Sequence, residues 1–231
     1  MFSLFRKNKG EKSNLRPVRS LFWVGAFLFL FSFVILLPIY KNANMTESQH
    51  LQEGLLALSQ QNYSKARAHL LQAAQNKNAQ AFYILGKMEM EGKNAEDKAN
   101  PTQAAGYFEN AANLGLKDAQ YILALLYDRG EGVAQSKEKA LDWGLLAAAQ
   151  GDINATYAAA VWLERGYSGK AEPHLALTLY EYAAEKGHQN AMATLISIYS
   201  GGTDIPVNID RANYWKNQLK TAKAKAEKKT K

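Results

Sequence analysis

Asp128 and Glu164 are the pair of residues in this sequence best suited to acid–base chemistry. They lie 36 residues apart. Two carboxyl groups that face one cleft could act as the acid and the base of a glycoside hydrolase. Acidic residues on a helix surface, such as Asp128 with the nearby Glu131, are more simply explained as a solvated face. An envelope enzyme of cell-wall or polysaccharide metabolism is therefore kept as the alternative function.

Other catalytic and metal-binding patterns are absent from the sequence. The chain has no cysteine, and its four histidines (His50, His69, His174 and His188) lack the His-x-x-x-His spacing of a metal site. His69 is expected to pack in a core, and His174 and His188 are expected in solvated turns. Gly130-Glu131-Gly132 has neither the third glycine nor the preceding strand of a nucleotide-binding loop, so it predicts a turn. We predict no catalytic residue, no metal, no cofactor and no small-molecule substrate.

The net charge of +7 is concentrated at the two ends of the chain. Residues 1–20 carry +5, residues 220–231 carry another +5, and the segment between them is left with −3. A protein that binds phosphate groups through its folded body should be basic there. Nucleic acid is therefore not expected as a partner.

Residues 21–39 form an apolar run in which Ser32 has the only hydrogen-bonding side chain apart from Trp23. As a helix the run would span about 28 Å, close to the hydrocarbon thickness of a bilayer. It is longer than a signal-peptide core and lacks an obvious cleavage site, which favours an anchor over a cleaved signal. Six basic residues precede the run and only Lys41 follows it closely. The positive-inside rule then predicts a single-pass protein of the bacterial inner membrane, with a cytoplasmic N-terminus and residues 41–231 in the periplasm, or in the secretory lumen of a eukaryote.

Four units of similar length follow one another along the rest of the chain. Each begins with an alanine, at spacings of 38, 36 and 36 residues, and has a glycine after its first apolar stretch. Three units end with a pair of alanines. This pattern predicts pairs of amphipathic helices that are stopped by glycine and that bury their apolar faces by stacking on neighbouring pairs. The starting alanines are Ala81, Ala119, Ala155 and Ala191, the glycines are Gly92, Gly130, Gly166 and Gly202, and the pairs are Ala111-Ala112, Ala147-Ala148 and Ala183-Ala184.

The unit that starts at Ala119 resembles a Sel1-like repeat, a relative of the tetratricopeptide repeat. Its matching residues include Leu123-Ala124, the Gly130-to-Val133 turn, Ala140 and Trp143. The resemblance implies an all-α fold, a right-handed α-solenoid of helix-turn-helix repeats preceded by one transmembrane helix. The predicted segments are a basic cytoplasmic tail (1–20), the transmembrane helix (21–39), a linker (40–45), a tetratricopeptide-like unit (46–80), Sel1-like repeats (81–118, 119–154 and 155–190), a partial repeat or cap (191–219) and a lysine-rich tail (220–231).

In proteins with this repeat the first helix of each pair lines the concave surface, so the resemblance implies that a partner contacts that helix. Counted from the starting alanines, positions −1, +2 and +9 fall near one stripe of a helix, apart from the core positions +4, +5 and +8. Amides there could bond to a peptide backbone, and tyrosines would add contact area. Packing of the tyrosines between units is the alternative. The candidate residues are Gln80, Tyr83, Asp118, Tyr121, Asp128, Asn154, Tyr157, Glu164 and Asn190.

The predicted function is a membrane-anchored scaffold or adaptor that presents a helical-repeat groove to a protein or peptide partner, in the assembly or regulation of an envelope complex. A chaperone-like adaptor for unfolded segments is a further possibility. The lysine-rich tail is more typical of the frayed end of the last helix. Contact of this tail with anionic headgroups or with an acidic partner remains open.

Overall fold

The computed structural model describes residues 45–94, 98–202 and 205–229. The predicted cytoplasmic tail (1–20), transmembrane helix (21–39) and most of the linker lie outside these ranges. Within the ranges described, no helix is both long and apolar enough to cross a membrane. Residues Glu47–Lys231 form one compact unit.

Ten α-helices and no strand make up the described part of this unit. Their main contacts join each helix to the one before it and the one after it in the chain, which is the arrangement of a solenoid. The helices are α1 (Glu47–Ser59), α2 (Tyr63–Gln75), α3 (Ala79–Met90), α4 (Pro101–Asn113), α5 (Lys117–Arg129), α6 (Lys137–Ala149), α7 (Ile153–Glu164), α8 (Pro173–Glu185), α9 (Gln189–Ser197) and α10 (Ile209–Lys229). The predicted all-α solenoid is confirmed.

Most of these helices are preceded by a polar residue whose side chain accepts a hydrogen bond from a backbone N–H of the first turn. Asn78 caps α3 in this way through Ala81, and Asp152 caps α7 through Ala155. A side-chain acceptor at this position satisfies one of the amide groups that a helix start leaves unbonded. The other side-chain caps are Asn62, Asn100, Ser136, His188 and Asn208.

Glycines with positive φ end the first helix of three units, at Gly92, Gly130 and Gly166. Gly132 is needed for a second reason, because a Cβ atom there would collide with the carbonyl oxygen of Pro101 in the preceding unit. The predicted fourth glycine, Gly202, behaves differently. Here α9 runs into a π-helical turn, Ile198–Gly202, in which Gly201 has a φ of 103°.

The core lies between the two helices of each pair and between successive pairs. All four starting alanines are fully buried, at 0% exposure. Small residues let neighbouring helices approach closely, and rings fill the spaces: Phe108 is packed against Gly86, and Trp162 against Gly144. Ala147 is fully buried, whereas Ala148 is only half-buried, so the close approach of helices at this pair is made by its first member.

The segment predicted as a lysine-rich tail at 220–231 continues α10 as far as Lys229. Leu219 and Ala222 still pack against the core, although the end of the helix is exposed. The lysines of residues 220–228 therefore project from a helix.

Candidate interaction surface

Four polar side chains occupy the same exposed place near the start of successive first helices. Gln80 lies on α3, Asp118 on α5, Asn154 on α7 and Asn190 on α9, and all four are exposed. Within the described residues none of them makes a hydrogen bond or an ion pair with another side chain or backbone group. We call these four residues the polar row. It offers unused donors and acceptors to another molecule.

Three tyrosines, the tyrosine row, follow the polar row by three residues at Tyr83, Tyr121 and Tyr157. All three are half-buried. The Tyr83 ring meets Phe108 edge to face, with centroids 5.8 Å apart. Tyr157 stacks on His188, which lies just before α9, with centroids 4.5 Å apart. These two rings thus pack against the core while leaving part of their surface open. The same tyrosine can therefore pack between units and also contact a partner.

The pKa shifts of two of these tyrosines agree with their half-buried positions. Burial raises the pKa of Tyr83, and the carboxylate of Asp118 at the start of α5 adds to the rise. Burial also raises the pKa of Tyr121, with Asp152 as the second cause. Each hydroxyl therefore remains protonated at neutral pH and is a hydrogen-bond donor beside the polar row.

Asp128 and Glu164 are placed differently from the rest of the predicted stripe. They lie at the ends of α5 and α7, and both are half-buried. The Tyr167 hydroxyl donates to Asp128 Oδ1 at 2.7 Å, and the Tyr180 hydroxyl donates to Glu164 Oε2 at 2.7 Å. The Tyr180–Glu164 bond lies within one unit and the Tyr167–Asp128 bond joins two successive units, so neither carboxylate is presented as one of two free acids facing a cleft.

The structure adds residues to the exposed stripe that the spacing argument missed. Positions +6 and +10 lie nearer to the polar row around the helix than position +9 does. Lys87 at +6 and the two arginines at +10 are exposed, while Leu125 and Val161 are half-buried. Two successive steps of four residues from position +2 would have found them. The first-helix face is the polar row and the tyrosine row together with Lys87, Leu125, Arg129, Val161 and Arg165.

Two histidines that are far apart in sequence meet in the first helix pair. His50 Nδ1 and His69 Nδ1 are 3.1 Å apart, and His50 is only 5% exposed. One ring must donate and the other accept, so at least one of them is neutral. Burial lowers the pKa of His69, and the neighbouring His50 lowers it further. His69 is therefore a bonding partner as well as a packing residue.

His188 was expected to be a solvated turn residue, and this prediction is wrong. Its Nδ1 accepts a hydrogen bond from the Ala191 N–H at 3.1 Å, and this bond caps α9. Burial lowers the pKa of His188, which favours the neutral ring that a cap acceptor requires. His174 is exposed, as expected, but it lies in the first turn of α8 and not in a turn between helices.

No group of three or more histidine, cysteine, aspartate or glutamate side chains comes together as a metal site in residues 45–94, 98–202 and 205–229. The possible ligands in these ranges occur at most in pairs, such as His50 and His69.

Helix pairs stacked in sequence order, with an exposed polar stripe on the first helix of each pair, define an α-solenoid of the repeat class. The Sel1 repeat family model matches residues 48–78, 79–116, 117–152, 153–188 and 189–215, which together are most of the chain. The chain belongs to the Sel1 repeat family. Its proteins generally mediate protein–protein interactions, and their fold is typically a non-enzymatic scaffold.

Two crystal structures show the same fold. A protective antigen present in uropathogenic Escherichia coli strains, described as displaying an SLR fold, is 26% identical with a TM-score of 0.71; the match covers 78% of this chain and 40% of the antigen. A Sel1 repeat protein from Oxalobacter formigenes is 26% identical with a TM-score of 0.68, covering 77% of this chain and 74% of that protein. This chain thus matches less than half the length of the antigen.

Proposed function

We propose that this protein is a membrane-anchored adaptor whose first-helix face holds an extended segment of a protein partner. Residues 21–39 would anchor it in a bacterial inner membrane, with the repeats in the periplasm. There it would assemble or regulate an envelope complex. The family's general role in protein–protein interaction supports the adaptor part of this proposal.

The polar row is the observation that carries the proposal. Asn154 and Asn190 are exposed, occupy equivalent places in successive units and use none of their hydrogen-bonding groups within the described residues. An asparagine amide can both donate to and accept from a peptide backbone. Because successive amides are separated by one repeat, they could hold a partner segment at several points along its length.

The tyrosine row supports the same proposal. Half-buried rings held by Phe108 and His188 lose little conformational freedom when a partner covers them. Tyrosine is enriched at the energetic centres of protein interfaces. The exposed edges of these rings would supply apolar contact beside the polar row.

The binding test removes amides that the fold does not use. Asn154→Ala combined with Asn190→Ala should weaken capture of the partner about thirtyfold, since each lost hydrogen bond contributes roughly 1 kcal/mol. Capture would be measured by crosslinking in detergent-solubilised membranes, and circular dichroism should be unchanged. Asn113→Ala with Asn213→Ala is the matched control, because both asparagines are exposed and lie on second helices. Equal capture by the two double variants would refute the proposed face.

The membrane part of the proposal is tested separately. The support for it is the apolar run of residues 21–39 and the six basic residues before it. A reporter that is active only outside the cytoplasm, fused after Lys231, should be active. Activity of a cytoplasm-only reporter at the same position would reverse the proposed topology without affecting the interaction face.

A further inference from the structure

A cavity of about 580 Å³ lies between the first helices of the first two units, α1 and α3. Its volume is within the range of roughly 300–1,000 Å³ that is usual for binding clefts. Leu55 and Leu58 of α1 face Tyr83, Ile84 and Met88 of α3 across it. Leu55 is 45% exposed, so the apolar wall is open to solvent.

The sequence explains why a gap remains at this place. The family match puts Gln52, Tyr83, Tyr121 and Tyr157 at the same position of successive units, four residues after each unit begins. Burial and then a nearby carboxylate, Asp118 at the start of α5 for Tyr83 and Asp152 just before α7 for Tyr121, raise the pKa of each hydroxyl, which places both tyrosines close to the next first helix. Gln52 is exposed and has no ring to place against α3. The first gap between neighbouring first helices is therefore left without the aromatic side chain that the later units supply.

The charge of this cavity is positive. Its charged lining residues are Lys87, Glu91 and Lys93. Lys93 Nζ lies 2.6 Å from Glu91 Oε2, so these two charges neutralise each other. Lys87 makes no ion pair within the described residues, and its Nζ lies 5.9 Å from the centre of the Tyr83 ring. An apolar wall thus stands beside one uncompensated cation.

We propose that this cavity is the anchoring pocket of the interaction face, and that it takes an apolar side chain whose neighbour in the partner's sequence is an aspartate or a glutamate. This inference rests on the proposed function and names the chemistry of the partner segment. The apolar side chain would cover Leu55, Ile84 and Met88, and the carboxylate would pair with Lys87. Gln80 also lines the cavity, so the pocket is continuous with the polar row.

The test uses the purified full-length chain in detergent and short random peptides displayed on phage. Peptides recovered by the wild-type chain should be enriched in an aspartate or glutamate next to an aliphatic or aromatic residue. Lys87→Glu should weaken the binding of a recovered peptide about tenfold and remove the preference for carboxylates. Lys139→Glu is the matched control, because Lys139 also lies over a tyrosine ring, 5.0 Å from the centre of Tyr127, but does not line the cavity.

A second variant tests the apolar half of the pocket. Gln52→Tyr introduces the residue that the later units carry and should fill the gap, so the enrichment in apolar residues should disappear while the melting temperature is kept. Absence of a carboxylate preference, or a preference that Lys87→Glu leaves unchanged, would overturn the pocket. Failure to recover any peptide above a protein-free background would overturn it as well. The double variant Asn154→Ala with Asn190→Ala tests the rest of the first-helix face independently of this pocket.

Discussion

The hydroxyl of Tyr180, which is 1% exposed, donates a 2.7 Å hydrogen bond to Glu164 at the end of the preceding helix. Burial and this bond raise the pKa of Tyr180 far above its usual value, so the hydroxyl remains a donor at neutral pH. Tyr167 donates a hydrogen bond of the same length to Asp128 of the preceding unit. The two carboxylates considered as acid and base are thus hydrogen-bonded parts of the repeat.

Replacement of both carboxylates by amides, Asp128→Asn with Glu164→Gln, should leave partner capture intact. An amide oxygen still accepts from the tyrosine hydroxyl, so the loss of unfolding free energy should not exceed about 1–2 kcal/mol. Thermal unfolding and the crosslinking assay provide the measurements. A cellular defect as severe as gene deletion, with capture preserved, would instead favour the enzyme alternative.

Glycines inside helices should differ sharply in their tolerance of alanine. A Cβ atom at Gly144 would lie 2.5 Å from the buried Trp162 ring, and one at Gly86 would lie 2.8 Å from the buried Phe108 ring. Each alanine variant should lose about 1–3 kcal/mol of unfolding free energy through overpacking. Gly106→Ala is the control: nothing lies within 4 Å, and the helix interior should gain about 0.5–1 kcal/mol. Equal denaturation midpoints for the three variants would contradict the packing described.

Lys77 occupies a turn position that later units give to glycine. Its φ is +62°, and the corresponding Gly115, Gly151 and Gly187 also have positive φ. A left-handed conformation costs a residue with a Cβ atom about 1–2 kcal/mol. Glycine avoids this cost, but its greater freedom in the unfolded state cancels part of the gain in stability. Lys77→Gly should therefore raise stability by up to about 1 kcal/mol. Asn76→Gly, at a neighbouring residue with a φ of −87°, should not, and a stabilisation of both would implicate some other effect.

Stability should decrease in mild acid because His188 must remain neutral to cap α9. Burial lowers its pKa in the folded protein, so above about pH 6.5 neither the folded nor the unfolded chain binds this proton. Below that value the unfolded chain takes up the proton first, and stability is lost as the pH falls towards the lowered pKa. His69 contributes in the same direction.

The matched variant is His188→Asn, because asparagine caps the helix without titrating. Its unfolding free energy should change less than that of the wild type between about pH 7.5 and about pH 5.5. His174→Asn, at an exposed position, should keep the full wild-type dependence. Identical pH profiles for all three proteins would show that the cap is not the titrating contact.

The repeat could be predicted from the sequence because its core depends on residue size at fixed spacing. Ala119 and Ala155 are fully buried where neighbouring helices meet, and any larger residue would push those helices apart. The exposed places of Asn154 and Asn190 follow from the same helical register. Spacing therefore located both the core and the polar row.

Contacts that depend on side-chain direction were beyond this argument. The bond from Tyr180 to Glu164 joins two helices through long side chains, and spacing along one helix carries no information about it. The meeting of His50 and His69 had a usable signal, because the two residues lie at roughly similar distances from the turn at residues 60–62, nine residues before the end of α1 and six residues after the start of α2. Antiparallel pairing of α1 and α2 brings such residues together.

The limited burial of α1 affects the energetics of binding at the anchoring pocket. Only His50, Gly54 and Ala57 of α1 are buried, whereas α3 buries six residues, and α1 packs mainly against α2. In a solenoid, stability is close to a sum of local terms, so the end with the fewest buried contacts opens at the smallest free-energy cost. Because α1 forms one wall of the anchoring pocket, occupancy of that pocket and closure of the terminal hairpin are thermodynamically linked: each favours the other by the same factor.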